Sequence, residues 1–472
     1  MIELPMTVRV TVLMFVAAIA NCVQGADDWP RFRGDNGSGV SASRGLPAEF
    51  GPDKHVLWKV DASHGSSSPI IANGLLFFSS FDGEERTLHC LDAATGKERW
   101  SRSVKKVRQE VATPPNGPAT PTPAIEGNRV FVLYPDVGVV CYSTSGEEKW
   151  RADLQAFHSM HGIASSLVTV DNLVIVVADQ LVGSYIEALH ADTGKVAWKS
   201  DRADGVAGAW STPAVYRPKQ GNPQLIVTGP IEIVGYDATT GKRLWWINGI
   251  TNAPISVPVI WRDRAIVCEE KGERLPFSIM APFDKNKDGK ITLDEVKSNT
   301  AMRRLVERID AGWGNHKGYV SSVEWDKAFG TLLNNAGLVA IELGGSGDVT
   351  KTNVRWSYTK GMPSIPSAIV YDDLVYVVKD GGIFSAFEAE SGKLVKQARL
   401  QPAGKQFYVS PVAADGMIFV VDTEGRLTVV KAGRDWKQLR SIDLGEHCWA
   451  TPAIWAGRLY VRTSKSLYCF GA

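Results

Sequence analysis

At 472 residues the chain is long enough for about three average domains, and its 44% hydrophobic and 22% charged residues are ordinary for a globular protein. Lysine plus arginine (52) nearly balance aspartate plus glutamate (51), for a formal charge of +1. That balance removes the electrostatic case for nucleic acid or an anionic membrane surface as partner.

The N-terminus reads as a secretory signal over residues 1–25. Arg9 precedes an apolar run from Val10 to Ala20, too short to span a bilayer and suited to the core of an export signal. Val23 and Gly25 supply small residues for cleavage, so the mature protein is expected in the periplasm or outside the cell. Cys22 offers a lipoprotein alternative, which Asn21 before it disfavours. No later segment is apolar and long enough to anchor the chain, and a monomer is expected.

Beyond the signal the chain repeats itself. "LHCLDAATGKERW" (88–100) recurs as "IEALHADTGKVAW" (186–198), "IVGYDATTGKRLW" (233–245) and, weakened, "FSAFEAESGKLVK" (384–396), while "VVCYSTSGEEKW" (139–150) is a shortened copy. Trp100, Trp150, Trp198 and Trp245 follow one another at intervals of 50, 48 and 47 residues, the length of one four-stranded propeller blade. Eight units start alike: "SSPII" (67–71), "PTPAI" (121–125), "SSLVT" (165–169), "STPAV" (211–215), "SVPVI" (256–260), "PSAIV" (366–370), "VSPVA" (409–413) and "ATPAI" (450–454). Each start predicts a short strand, a tight turn and a second strand. A third strand, a D-x-x-T-G-K turn and a fourth strand carrying the tryptophan complete the unit.

The middle of each third strand is small: Cys90, Cys141, Ala188, Gly235, Ala340, Ala386, Val429 and Cys469. The fold class is therefore all-β, an eight-bladed propeller. The last unit lacks a fourth strand, and "VLWKV" (56–60), with Trp58, is an orphan fourth strand. Pairing the two seals the ring. Five cysteines remain after the signal, three of them in the small column. Only Cys448, in "EHCWATP", stands where reactivity would matter, and no disulfide framework is expected.

The strand rhythm holds over 27–272 and 335–472 and fails over 273–334, where a charged, helical segment intervenes. It contains "DKNKDGKITLDE" (284–295). Asp284, Asn286 and Asp288 fall at loop positions one, three and five of an EF-hand, Gly289 at the turn, the Lys290 carbonyl at seven, Thr292 at nine and Glu295 at twelve. This spacing wraps oxygens around a hard ion, so calcium is the expected ligand. A second hand follows. Anchoring on Gly318 puts Glu324 at twelve but Trp313 at one and Lys317 at five, which argues for structural pairing without metal; Asp310 could serve only in a longer loop. Calcium could be structural or regulatory.

Alternating strand direction puts the insert on the same face as the loops that lead into the innermost strands. Those loops hold His64, His158, His161, Trp210, Tyr408, His447 and Trp449, either a recognition surface at the channel mouth or a plug of aromatics among solvated histidines. An unidentified protein or cell-envelope ligand is the partner expected on this face. A hydrolytic metal site built on the histidines is a further alternative. The tryptophans that recur once per blade are expected to pack instead.

These repeats resemble the quinoprotein-dehydrogenase-like (PQQ-like) eight-bladed propellers, an architecture that also contains the non-catalytic outer-membrane assembly factor BamB. "DWPRFRGDNGSGV" (28–40) looks like the opening of many secreted bacterial members. For catalytic members the resemblance implies pyrroloquinoline quinone beside a calcium ion, an aspartate base and two adjacent cysteines. This chain has no adjacent cysteine pair, and its carboxylates do not match that site. A non-catalytic binding or assembly scaffold is therefore expected, with a divergent quinoprotein oxidoreductase as the alternative.

Overall fold

A computed structural model describes residues 28–472 apart from 160, 182, 203–207, 231, 250–252, 271–275, 315 and 333–335. The expected signal and Cys22 lie outside the described residues. Among the described residues no helix is long and apolar enough to cross a membrane.

Eight blades form a ring, each built on four antiparallel strands that follow chain order except in the last, and the fourth blade's sheet gains a short fifth strand, Gly347–Asp348, parallel to its outer edge. Blade 1 runs through Ile70–Ala72, Leu75–Asp82, Glu85–Asp92 and Glu98–Lys105, and its successors repeat that order outward from the axis. Blade 8 is completed from the other end of the chain. Val56–Asp61 lies antiparallel to Ser466–Phe470, with Val56 opposite Phe470 and Trp58 opposite Cys469. The ring is thus sealed by the strand expected to seal it, and the outer edge of the last blade is covered.

The small third-strand column has a local cause. Cys90, Cys141, Ala188, Gly235 and Ala340 lie directly opposite Trp100, Trp150, Trp198, Trp245 and Trp356 of the fourth strand. Directly opposed side chains share a face of the sheet, so a large residue there would displace an indole. A bulge follows the pair in each of these blades and turns the outer strand.

The indoles then join neighbouring blades. Trp58, Trp100, Trp150, Trp198 and Trp356 donate Nε1–H to the carbonyls of Ala93, Thr144, Ala191, Ala238 and Ala389 in the next blade, at 2.9–3.1 Å. Each ring covers the glycine of that blade's turn: Gly96, Gly146, Gly194, Gly241 or Gly392. These glycines have φ between +68° and +87°, and a Cβ on any of them would overlap the indole. Only glycine satisfies both demands.

The opening segment runs beneath the ring. Trp29 exchanges backbone hydrogen bonds with Ile71 of blade 1, and the Pro30 carbonyl accepts from Ile125 of blade 2. Asn36 brackets Val215 of blade 4, donating to its carbonyl at 2.7 Å and accepting from its N–H at 2.8 Å. Buried Arg33 donates to Ala368 of blade 6, and Gly39 and Ser41 bond Ala413 of blade 7. A segment bonded to blades on opposite sides of the ring crosses its axis, so it closes one end of the central channel.

Between Cys268 and Leu338 of blade 5 the chain leaves the sheet. A short 3-10 turn (Phe277–Met280) follows Pro276, and two helices follow, α1 (Thr300–Ile309) and α2 (Ser322–Leu332). Asn299 caps α1 by accepting from the Met302 N–H at 3.1 Å, satisfying one of its free amides. Met280, Ile291, Val296, Leu305, Val306, Ile309, Val320, Trp325 and Ala328 form a hydrophobic cluster of their own.

Candidate functional site

The open end of the channel is a cup of about 410 Å³. Phe32, from the crossing segment, reaches its lining. His161, Trp210, Tyr408 and Trp449 also line it, so four of the seven residues expected on the recognition face come together there. Trp210 donates Nε1–H to Gly162 at 2.7 Å, and its ring lies 5.5 Å from that of His161, whose Nδ1 is 3.0 Å from the Thr113 hydroxyl.

His64, His158 and His447 lie outside the lining. His64 is exposed beside Phe81, while exposed His158 bonds Gln180 and Leu181 through its backbone. His447 stacks on Trp449 with centroids 5.6 Å apart but lies over a separate groove with Lys405 and Asp422. Cys448 is fully buried, and desolvation pushes its thiol up to about 12. It is a packing residue and not a nucleophile.

The feature that sequence reading missed is a ring of hydroxyls. The Ser68 N–H donates to Thr122 Oγ1, Thr122 N–H to Ser166 Oγ and Ser166 N–H to Thr212 Oγ1, at 2.9–3.0 Å. Val257 N–H donates to Ser367 Oγ, Ser367 N–H to Ser410 Oγ, Ser410 N–H to Thr451 Oγ1 and Thr451 N–H back to Ser68 Oγ, at 2.9–3.3 Å. Seven of the eight blades thus satisfy an inner backbone amide with the hydroxyl of the next, the exception being blade 4, which faces Val257. The signal was the second residue of the eight starts, a serine or threonine in all but Val257.

The described lining residues of the cup include no aspartate, glutamate, lysine or arginine, and His161 is their one histidine. The wall at blades 5 and 6 is apolar, with Ile255 and Ile365. Just behind it is Glu269, 2% exposed, which accepts from Ser256 N–H at 3.0 Å and Ser256 Oγ at 2.9 Å. Desolvation pushes its carboxyl up to about 8.

The carboxylates of the 284–295 loop are hydrogen-bonded to the loop's own backbone. Asp284 accepts from Asp288 and Gly289 N–H at 3.2 and 3.0 Å, and Asp288 accepts from Lys290 N–H at 2.8 Å. Glu295 accepts from Lys285 and Thr292 N–H and from the Thr292 hydroxyl, at 2.8–3.0 Å. Gly289 takes φ +74°. Lys290–Thr292 pairs with Tyr319–Ser321, placing Ile291 opposite Val320.

The second loop copies this pattern over a longer span. Asp310, and not position-one Trp313, accepts from Gly318 N–H at 2.6 Å, as Asp284 does from Gly289. Glu324 accepts from Ser321 N–H at 3.0 Å, and Lys317 Nζ lies 3.4 Å from its other oxygen. The Ser321 hydroxyl, its backbone amide and Lys317 hold the Glu324 carboxyl down to about 2. Among the described residues no three His, Cys, Asp or Glu side chains converge on one point.

A family model described as "Outer membrane protein assembly factor BamB" matches residues 50–136, 108–279 and 337–470. The chain belongs to this family. The BamB-family match pauses between 279 and 337, the stretch that holds the helical insert. The outer membrane protein assembly factor BamB of Burkholderia pseudomallei (strain K96243) is 22% identical over 252 residues, covering 50% of this chain and 59% of that protein. This BamB-family chain thus spans less than two thirds of that relative's length.

BamB from Moraxella catarrhalis superposes with a TM-score of 0.52 at 12% identity, covering 88% of this chain and 97% of that one. Quinohemoprotein alcohol dehydrogenase from Comamonas testosteroni gives 0.58 at 12% identity, covering 94% and 80%. At such identity these structures establish the shared propeller and leave function to the site.

Proposed function

We propose that this BamB-family propeller is an exported, calcium-stabilised binding scaffold. Its leading-loop face receives a protein or cell-envelope ligand, and its centre does no chemistry. The observation that carries this reading is a cup whose described lining holds no carboxylate, lysine or arginine. A quinone bearing three carboxylates would need cationic partners, and its accompanying metal would need carboxylates. The described lining supplies no carboxylate and, beyond His161, no side chain that could be cationic, and burying unpaired charge is costly. The residues present therefore do not fit that cofactor, despite the shared fold with a quinohemoprotein dehydrogenase.

The insert is read as an EF-hand pair in which Asp284, Asn286, Asp288, Thr292, Glu295 and the Lys290 carbonyl hold one calcium ion. An all-oxygen donor set suits a hard cation, and the Asp284–Gly289 bond and the Ile291–Val320 pairing support the loop assignment. Calcium outside the cytosol stabilises such a module by mass action. In the second loop the Lys317 ammonium stands beside Glu324, where a metal's charge would otherwise lie.

Crosslinking the intact protein in cell envelopes through probes on the leading-loop face tests the scaffold role. A discrete partner, captured only from that face, is expected. Stoichiometric quinone binding with dye reduction would replace this reading with the oxidoreductase one.

A further inference from the structure

We propose that the cup is a binding site for an uncharged saccharide ring. This rests on the leading-loop face being the recognising face, and it goes further by naming the ligand's chemistry from the two tiers of the cavity lining.

One tier of the lining is made of hydroxyls. Ser68, Thr122, Ser166, Ser367, Ser410 and Thr451 all line the cup. Each of these oxygens already accepts one backbone N–H from the neighbouring blade. That bond fixes the oxygen but leaves its O–H free to donate and its second lone pair free to accept. A rigid arc of groups that both donate and accept matches a ligand whose own groups do the same, and hydroxyls do so all around a sugar ring.

A second tier, two residues earlier in the same leading loops, is apolar and aromatic: Trp210, Ile255, Ile365, Tyr408 and Trp449 precede Thr212, Val257, Ser367, Ser410 and Thr451. The negative face of an aromatic ring attracts weakly polarised C–H groups. A pyranose carries such C–H groups on its faces and hydroxyls at its rim, the same division as the cavity. A purely apolar ligand would leave the hydroxyl arc without partners. A charged one would be desolvated among described lining residues that offer no carboxylate, lysine or arginine and a single imidazole, His161, as counter-charge. The cup's 410 Å³ lies within the roughly 300–1,000 Å³ usual for small-molecule sites. Because the crossing segment closes the far end, a ligand can approach only from the leading-loop face, as a free sugar or as the end of a glycan.

The test titrates the full mature chain with glucose, N-acetylglucosamine and maltose up to roughly 50 mM, far above a millimolar Kd, by calorimetry and tryptophan fluorescence. Gluconate, glucosamine and pyrroloquinoline quinone serve as charged controls. At least one neutral sugar is expected to bind one per chain. Trp449→Ala should weaken it at least tenfold and Ser410→Ala severalfold, with melting points confirming that both variants fold. Maltose binding more tightly than glucose assigns the site to a glycan end; equal affinity assigns it to a free monosaccharide. No binding by any neutral sugar overturns the proposal, as does equal or tighter binding of a charged control, or affinity unchanged in Trp449→Ala. Crosslinked capture of an envelope protein in the absence of sugar binding would sink this inference and leave the scaffold reading standing. Sugar binding without any captured protein would do the reverse.

Discussion

Glu269 gives the sharpest stability test. Its carboxyl lies behind the apolar wall of the cup, 2% exposed, and desolvation raises its pKa from an ordinary 4.5 to about 8. Because the native value exceeds the unfolded one, folding favours the protonated form. Its contribution is therefore complete below about pH 4.5 and is lost as pH rises through about 8. Integrated from about pH 5.5 to 8.5, this single group costs the native state about 3 kcal/mol. With an unfolding entropy of ~2.1 cal/mol/K per residue and the ring melting as one unit, that is a fall of about 3 °C in Tm. Glu269→Gln keeps a carbonyl to accept from Ser256 but cannot ionise. The difference between the wild-type and Glu269→Gln melting curves, measured by calorimetry across this range, should widen by about that amount toward high pH. Parallel curves would mean that the carboxyl is charged and hydrated in the native protein, and the buried contact with Ser256 would have to be abandoned.

Wild-type protein should bind one calcium ion tightly by isothermal titration, and Glu295→Gln should abolish it along with the calcium-induced rise in Tm; two equal sites would refute the role given to Lys317. Lys317→Asn removes the ammonium from Glu324 and supplies an oxygen, so the stoichiometry should rise from one to two; a folded variant still binding one ion would show that the longer second loop is closed to metal for another reason. Trp198→Ala deletes an indole that fills a blade junction and bonds Ala238. It should cost about 3–5 kcal/mol, read as a lowered denaturant midpoint, and a loss below 1 kcal/mol would contradict the junction role.

The blades were legible because each repeats the same constraints. A tryptophan, a small residue opposite it and a glycine under the next indole recur together, and columns that agree across copies leave little freedom in register. Sealing by Val56–Asp61 followed from counting strands. What escaped was what crosses between repeats. The serine–threonine column was visible in the eight starts, yet its meaning lies in bonds between blades that no single repeat displays. The path of 28–41 under the ring depends on five blades at once. The fixed twelve-residue template put Trp313 at position one because the π-helical turn Asp310–Gly314 adds residues before the loop; the longer loop that would use Asp310 is the one whose Gly318 N–H bond matches the first loop. The cup collected His161, Trp210, Tyr408 and Trp449 but not His64, His158 or His447, since loop position predicts the face and not the direction of a side chain.

The irregularities gather at one junction. The Trp245 indole packs among residues of blade 5 but does not hydrogen-bond there: its Nε1 donates to Gln224 at 2.9 Å in its own blade, and its ring lies over Gly235. Blade 5 offers no D-x-x-T-G-K turn to receive it. Val257 breaks the hydroxyl ring at the same place. Substitute links hold the gap. Gly347–Asp348 pairs in parallel with Trp245–Trp246, Val349 N–H donates to the Trp246 carbonyl, and Asn248 N–H donates to Thr350 Oγ1. The helical insert leaves from this blade through Glu269 and Glu270. Glu269 braces the Ile255 loop through Ser256, and Glu270 accepts from Ser364, next to Ile365. The two glutamates at the base of the insert therefore hold the two isoleucines of the cup's apolar wall. If calcium orders the insert, its effect reaches the cup through these contacts, and linkage requires sugar to change calcium affinity by the same factor as calcium changes sugar affinity. That factor should collapse toward one in Glu269→Gln combined with Ser364→Ala, measured by titrating each ligand in the presence and absence of the other. A coupling undiminished in the double variant would place the route elsewhere.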